Sequence, residues 1–233
     1  MKAIKLLLLA VLAVTGFQAN AQTADEVVDK YVTAMGGKEK LASLNSVKMS
    51  GSMNVQGTDI ALTITKTHMV GMRLDIDIMG TSNYQLGNTK EGWVFMPIQG
   101  MSAPVQMEEE QFKSFSTQLD VQGALFNFKE KGSTVELAGK ETIDGSEAYK
   151  LKVTYKSGKV SHFFIDTKSN FLVKTSSMVE VNGTEMESAN SFSDYKQNAD
   201  GYWFPYASTN MQGAITFDKI ETNVKVDESI YKN

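Results

Sequence analysis

Two histidines, one close pair of aspartates and one run of three glutamates are the residues of this chain whose types and spacing bear on chemistry. His68 and His162 are the only histidines. A zinc site needs several ligands at close spacing, and neither histidine has such a partner, so both read as ordinary strand or turn residues. No cysteine occurs in 233 residues, which removes thiol nucleophiles, thiolate ligands and disulfides together. Asp75 and Asp77 stand two apart, so on a strand they share a face and can pair as general acid and base. The same spacing also describes the polar side of an amphipathic strand, the reading preferred here. Glu108, Glu109 and Glu110 offer the hard oxygen ligands that calcium takes; a run of carboxylates at a helix N-terminus, favoured by the helix dipole, explains them better. No Gly-rich phosphate loop and no nucleophile elbow occurs. The expectation is a protein that is not an enzyme, with no metal and no cofactor.

The elements that must carry the function begin with a leader. Lys2 and Lys5 precede an apolar run over residues 6–14, and Ala19-Asn20-Ala21 follows. This pattern predicts a secretory signal peptide, residues 1–21, cleaved after Ala21. The apolar run is too short to span a bilayer. Residues 22–233 are then expected as one soluble domain in the periplasm, a size that a single β-rich domain reaches. Without Lys2 and Lys5 the chain has 21 basic and 27 acidic residues, a net charge of −6. That argues against nucleic acid, which requires clustered basic charge, and gives no polybasic signal for anionic lipid.

Periodicity predicts a mainly β fold with a few helices. Val27, Val28, Tyr31, Val32 and Met35 form one helical stripe, with Thr23 and Glu26 as a capping box and Gly36-Gly37 as the stop. A short second helix is expected over 38–44. Period-two alternation follows at Val47, Met49, Met53 and Val55, at Ile60, Leu62 and Ile64, and at Leu74, Ile76 and Ile78. A helix is expected over 107–121, with Phe112, Phe115 and Leu119 on one side and Glu109, Glu110, Lys113 and Gln118 on the other. Strands resume at 149–155, 160–165, 171–181, 188–195, 203–210 and 214–224, with Asn182-Gly183 a hairpin signal.

Eight of the thirteen methionines fall between Met49 and Met107. Flexible thioethers suit a surface that accepts varied apolar partners, and equally the gaps of a curved sheet's core. A sheet of roughly ten strands with one apolar face is more than two or three helices can cover, so an apolar cavity should remain. Its expected lining is Met49, Met53, Leu62, Ile64, Leu74, Ile76, Trp93, Phe95, Leu151 and Val153. Phe112, Phe115 and Leu119 are expected to form a weakly docked lid.

Several stretches together resemble a known family. They are residues 72–80 (MRLDIDIMG), 88–97 (NTKEGWVFMP), 145–155 with Phe163-Phe164-Ile165-Asp166, and Phe192-Ser-Asp-Tyr195 with Asp200-Gly-Tyr-Trp-Phe-Pro205. The pattern is similar to the periplasmic outer-membrane lipoprotein-sorting proteins, the LolA-like group, over nearly all of residues 22–233. The resemblance implies an incomplete, half-open antiparallel β-barrel closed by helices over an apolar cavity that receives acyl chains. It also implies a monomer that takes lipoprotein acyl chains or other lipids from an inner-membrane donor to an outer-membrane acceptor. The alternative is a module on the same half-barrel that senses lipid or a partner without ferrying it. One departure stands out. The family carries Arg-Pro where this chain has Lys66-Thr67-His68, and that arginine holds the lid shut. The only arginine here is Arg73.

Overall fold

A computed structural model of the chain describes residues 22–233 apart from 56, 182 and 183. The predicted leader and the Asn182-Gly183 turn lie outside the described residues. Helix α1 (Ala24–Ala34) opens as its sequence predicts: the Thr23 hydroxyl accepts the Glu26 amide at 3.2 Å, and the Glu26 carboxylate accepts the Thr23 amide at 3.1 Å. Gly36 and Gly37, both at positive φ, end that turn, and α2 (Lys38–Ala42) follows.

Thirteen strands rather than about ten build one antiparallel sheet. The first run is β1 (Ser46–Val55), β2 (Thr58–Thr67), β3 (Gly71–Ile78), β4 (Thr81–Asn88), β5 (Gly92–Phe95) and β6 (Val105–Gln106). The second is β7 (Thr134–Ile143), β8 (Ser146–Thr154), β9 (Val160–Asp166), β10 (Leu172–Val181), β11 (Thr184–Gln197), β12 (Trp203–Asn210) and β13 (Gly213–Thr222). Each run pairs strictly in chain order, and the pairing of β1 with β13 joins the two. The sheet does not close: β6 and β7 are its edges. It is therefore an open half-barrel, the predicted class.

Helix α3 (Glu109–Ser116) is shorter than the expected 107–121. The Ser116 hydroxyl donates back to the Phe112 carbonyl and the Thr117 hydroxyl to that of Ser114, each at 2.8 Å. Such back-bonding competes with the helical ladder, and the chain leaves through a 3₁₀ turn, Thr117–Leu119. Residues 120–133 then cross the open side to β7. No described helix is long and apolar enough to cross a membrane.

The face under the helices is the inner one. Helix α1 packs Val27, Val28, Tyr31 and Val32 on Leu151, Val153, Phe163 and Ile165 of β8 and β9. Helix α3 packs Phe112 and Phe115 on Met72 and Val94 of β3 and β5. A 3₁₀ turn, Glu228–Tyr231, lies on the outer face of β3 and β4, where Tyr231 is buried against Gly71. A Cβ at Gly71 would lie 2.4 Å from the Tyr231 ring, so only glycine admits that contact.

Candidate functional site

Strand register fixes which side chains meet on the inner face, because directly paired residues of antiparallel strands point to the same side. Met49 pairs with Ile64 and Ile64 with Leu74; on its other flank Met49 pairs with Ile220. Leu62 pairs with Ile76, and Met53 with Ile215. Six of the expected residues, Met49, Met53, Leu62, Ile64, Leu74 and Ile76, thus form one apolar strip across β1, β2 and β3. Leu62 is buried, while the other five remain half-buried. The strip lies between the α1 and α3 clusters, and Ile64 packs both on the strip's own cluster around Leu62 and Ile220 and on the α3 cluster.

Four expected residues lie elsewhere. Leu151 and Val153 are on the inner face, but α1 covers them completely. Trp93 and Phe95 face outward. Trp93 pairs with Leu86, which pairs with Arg73; Phe95 pairs with Tyr84, which pairs with Asp75. Tyr84 and Phe95 rings touch there at 5.4 Å between centroids. The inward residue of β5 is Val94.

All three lid residues bear on the inner face: Phe115 and Leu119 are buried and Phe112 is half-buried. Their seat is a pair of facing glycines. Gly87 pairs with Gly92, and added Cβ atoms there would meet Phe115 at 2.9 Å, Phe112 at 3.2 Å and the Met107 sulfur at 2.6 Å. The absence of side chains on β4 and β5 is what lets the two rings approach the sheet. The ends of the segment are tied down, the Met107 amide donating to Gly92 (2.8 Å) and the Met69 amide to Leu119 (2.9 Å).

A polar cluster adjoins the strip at the C-terminal end of this segment. Asp120 accepts a hydrogen bond from Lys131 at 2.6 Å, and its other oxygen lies 3.4 Å from His68 Nδ1. Burial lowers the His68 pKa; Asp120 opposes this and Lys131 adds to it. Lys66 belongs to the inner face, between Val47 and Met72, both buried. Burial pushes its ammonium pKa down to about 8, with Asp120 only partly offsetting the shift.

The candidate catalytic and latching groups are otherwise engaged. Asp75 accepts from Arg73 at 2.8 Å and Asp77 caps the Gly80 amide at 2.9 Å. Glu109 and Glu110 both pair with Lys113 on the surface. No group of three or more His, Asp or Glu suited to a metal occurs among the described residues. Arg73 lies on the outer face, stacked over Tyr84 and reaching the Ile230 carbonyl at 3.5 Å, away from α3. Two surface depressions, of ≈ 230 Å³ beside α1 and ≈ 310 Å³ beside residues 224–227, are lined by none of the ten expected cavity residues.

No protein-family model matches the chain, and no curated protein does. Solved structures do. A LolA superfamily protein from Nitrosomonas europaea aligns over 91% of this chain and 99% of its own, at 13% identity and a TM-score of 0.57. A candidate outer membrane lipoprotein-sorting domain from Vibrio parahaemolyticus aligns over 88% and 94%, at 14% identity and 0.54. A DUF1329 family protein from Desulfovibrio piger aligns over 90% and 97%, at 16% identity and 0.57. At these identities the likeness is one of fold: the half-barrel with its helices on one face is the LolA-like architecture.

Proposed function

We propose that this chain, exported to the periplasm and freed of residues 1–21, is a soluble carrier that binds acyl chains of lipoproteins or other lipidic molecules on the strip between α1 and α3. It passes them from an inner-membrane donor towards an outer-membrane acceptor and performs no catalysis. One observation carries this reading: Met49, Met53, Ile64, Leu74 and Ile76 form a continuous, half-buried apolar surface on the helix-covered face of an open sheet. The strip borders the core cluster around Leu62 and Ile220 and is only partly covered, and an acyl chain laid along it removes that surface from water. The LolA-like fold supports the same reading by analogy.

Burial of about fourteen methylenes of a long-chain acid contributes about 11 kcal/mol at about 0.8 kcal/mol each, of which about 7 kcal/mol remains after an association cost of about 4 kcal/mol. A fluorescent long-chain fatty acid should therefore bind with a Kd of about 1–10 μM. Leu74→Glu should weaken it at least about tenfold, because the unpaired carboxylate is forced into the strip. Fluorescence titration of both proteins decides the matter; wild-type protein that ignores every acyl probe at high micromolar concentration ends the carrier reading.

A further inference from the structure

Lys66 is expensive for the fold and makes no compensating contact. Its neighbours across the strands are Val47 and Met72, which are 3% and 4% exposed. Its side chain has no hydrogen-bond or ion-pair partner among the described residues, yet the residue keeps partial contact with solvent. Asp120 is the carboxylate that acts on it, and that carboxylate is already committed to Lys131 at 2.6 Å and to the Gln122 amide at 3.1 Å. A methionine or leucine would fill this position more cheaply. Along β2, Lys66 follows Leu62 and Ile64 on the same face, so it stands where the apolar strip meets the polar cluster. Lys66 and Lys131 outnumber Asp120 there, leaving that end of the strip positive.

We propose that Lys66 receives the anionic head of an amphiphile, a carboxylate or a phosphate, whose chain lies on the strip of Ile64, Met49 and Leu74. This rests on the carrier reading and narrows its cargo to acidic single-chain lipids over neutral ones. The tail displaces water from the half-buried strip. The head supplies the acceptor that Lys66 lacks, and the partial solvent contact is the path by which it arrives. A charge-assisted hydrogen bond at a partly dry site is among the stronger single contacts a protein makes.

The test uses three ligands of equal chain length: hexadecanoate, hexadecyl phosphate and hexadecanol. Each is titrated by calorimetry, below its aggregation limit, into residues 22–233 and into the Lys66→Met and Lys66→Arg variants. Wild-type protein should bind at least one anion about tenfold or more tighter than the alcohol, and the tighter anion identifies the head group. Lys66→Met should lose that preference while binding the alcohol as before, and Lys66→Arg should keep it. Thermal unfolding of each variant confirms its fold. Equal affinity for all three ligands, or a preference that survives in Lys66→Met, overturns the head-group site and leaves the carrier reading intact. Failure of every ligand, the alcohol included, overturns both.

Discussion

Phe115→Ala should release the 107–121 segment from the sheet while leaving β8 and β9 folded. The Phe115 side chain is 3% exposed and packs beside Met72 and Val94 on the Gly87–Gly92 seat. Truncating a buried phenylalanine costs about 3–5 kcal/mol. Helix α3 spans only Glu109–Ser116 and its anchors are few, so most of that loss falls on its own docking. Amides of 109–116 should then exchange about a hundredfold faster or more, since each 1.4 kcal/mol is a factor of about ten. Gly92→Val attacks the same contact from below, where its Cβ would meet the Met107 sulfur and Phe112. In wild-type protein an acyl ligand should alter exchange in this segment, because Ile64 touches both the strip and the α3 cluster. Hydrogen-exchange mass spectrometry reads all of this. Protection of 109–116 equal to that of β8, unmoved by ligand or by Phe115→Ala, would make α3 a fixed core element.

Lys66→Met should raise the unfolding temperature at pH 7. A lysine shifted from 10.5 to about 8 is harder to keep charged in the folded chain than in the unfolded one. Below pH 8 both folded and unfolded chains carry the charge, and the fold bears the full penalty. Between pH 8 and 10.5 the unfolded chain binds more protons, so wild-type stability from this group rises with pH, and above 10.5 the penalty is gone. The penalty is about 2–3 kcal/mol after allowance for solvent contact, or roughly 4–10 °C in a domain of this size. The gain of the variant over wild type should therefore be full at pH 7 and shrink towards pH 10. Calorimetry at both pH values tests it; a variant less stable at pH 7, or a gain that grows with pH, contradicts a buried unpaired ammonium.

The parts of the fold that were legible in sequence are those where one face is wet. In β1, β2 and β3 apolar and polar residues alternate, and each expected inward residue there lies inward. Strand β4 reads Thr-Ser-Asn-Tyr-Gln-Leu-Gly-Asn, with no such phase. The short β5 takes its orientation from β4 through Gly87 and Gly92, so nothing local indicated that Trp93 and Phe95 face out. Strand β7 is an edge whose register shifts between Leu137 and Lys140, which breaks the period. The lid helix was visible from Phe112, Phe115 and Leu119, but its glycine seat is a tertiary contact. Lys66 carries a signal in sequence: it continues the Leu62-Ile64 phase, and a lysine in an apolar phase is itself the anomaly.

The junction of β1 with β13 also governs how the chain comes to be folded. Every other strand pair is a local neighbour in the chain, closed by a short connection or hairpin. Val47 and Thr222, by contrast, stand 175 residues apart in a chain of 233. Two meanders can therefore form by local pairing, and the long-range contacts that unite them are the β1–β13 closure, the docking of α1 on β8 and β9, and that of Tyr231 on β3. Until that closure the strip on β1 and β2 lacks Ile215 and Ile220 as its far wall, and two sheet edges stand open. Open strand edges and an uncovered apolar strip are the features that make a partly assembled sheet prone to aggregation.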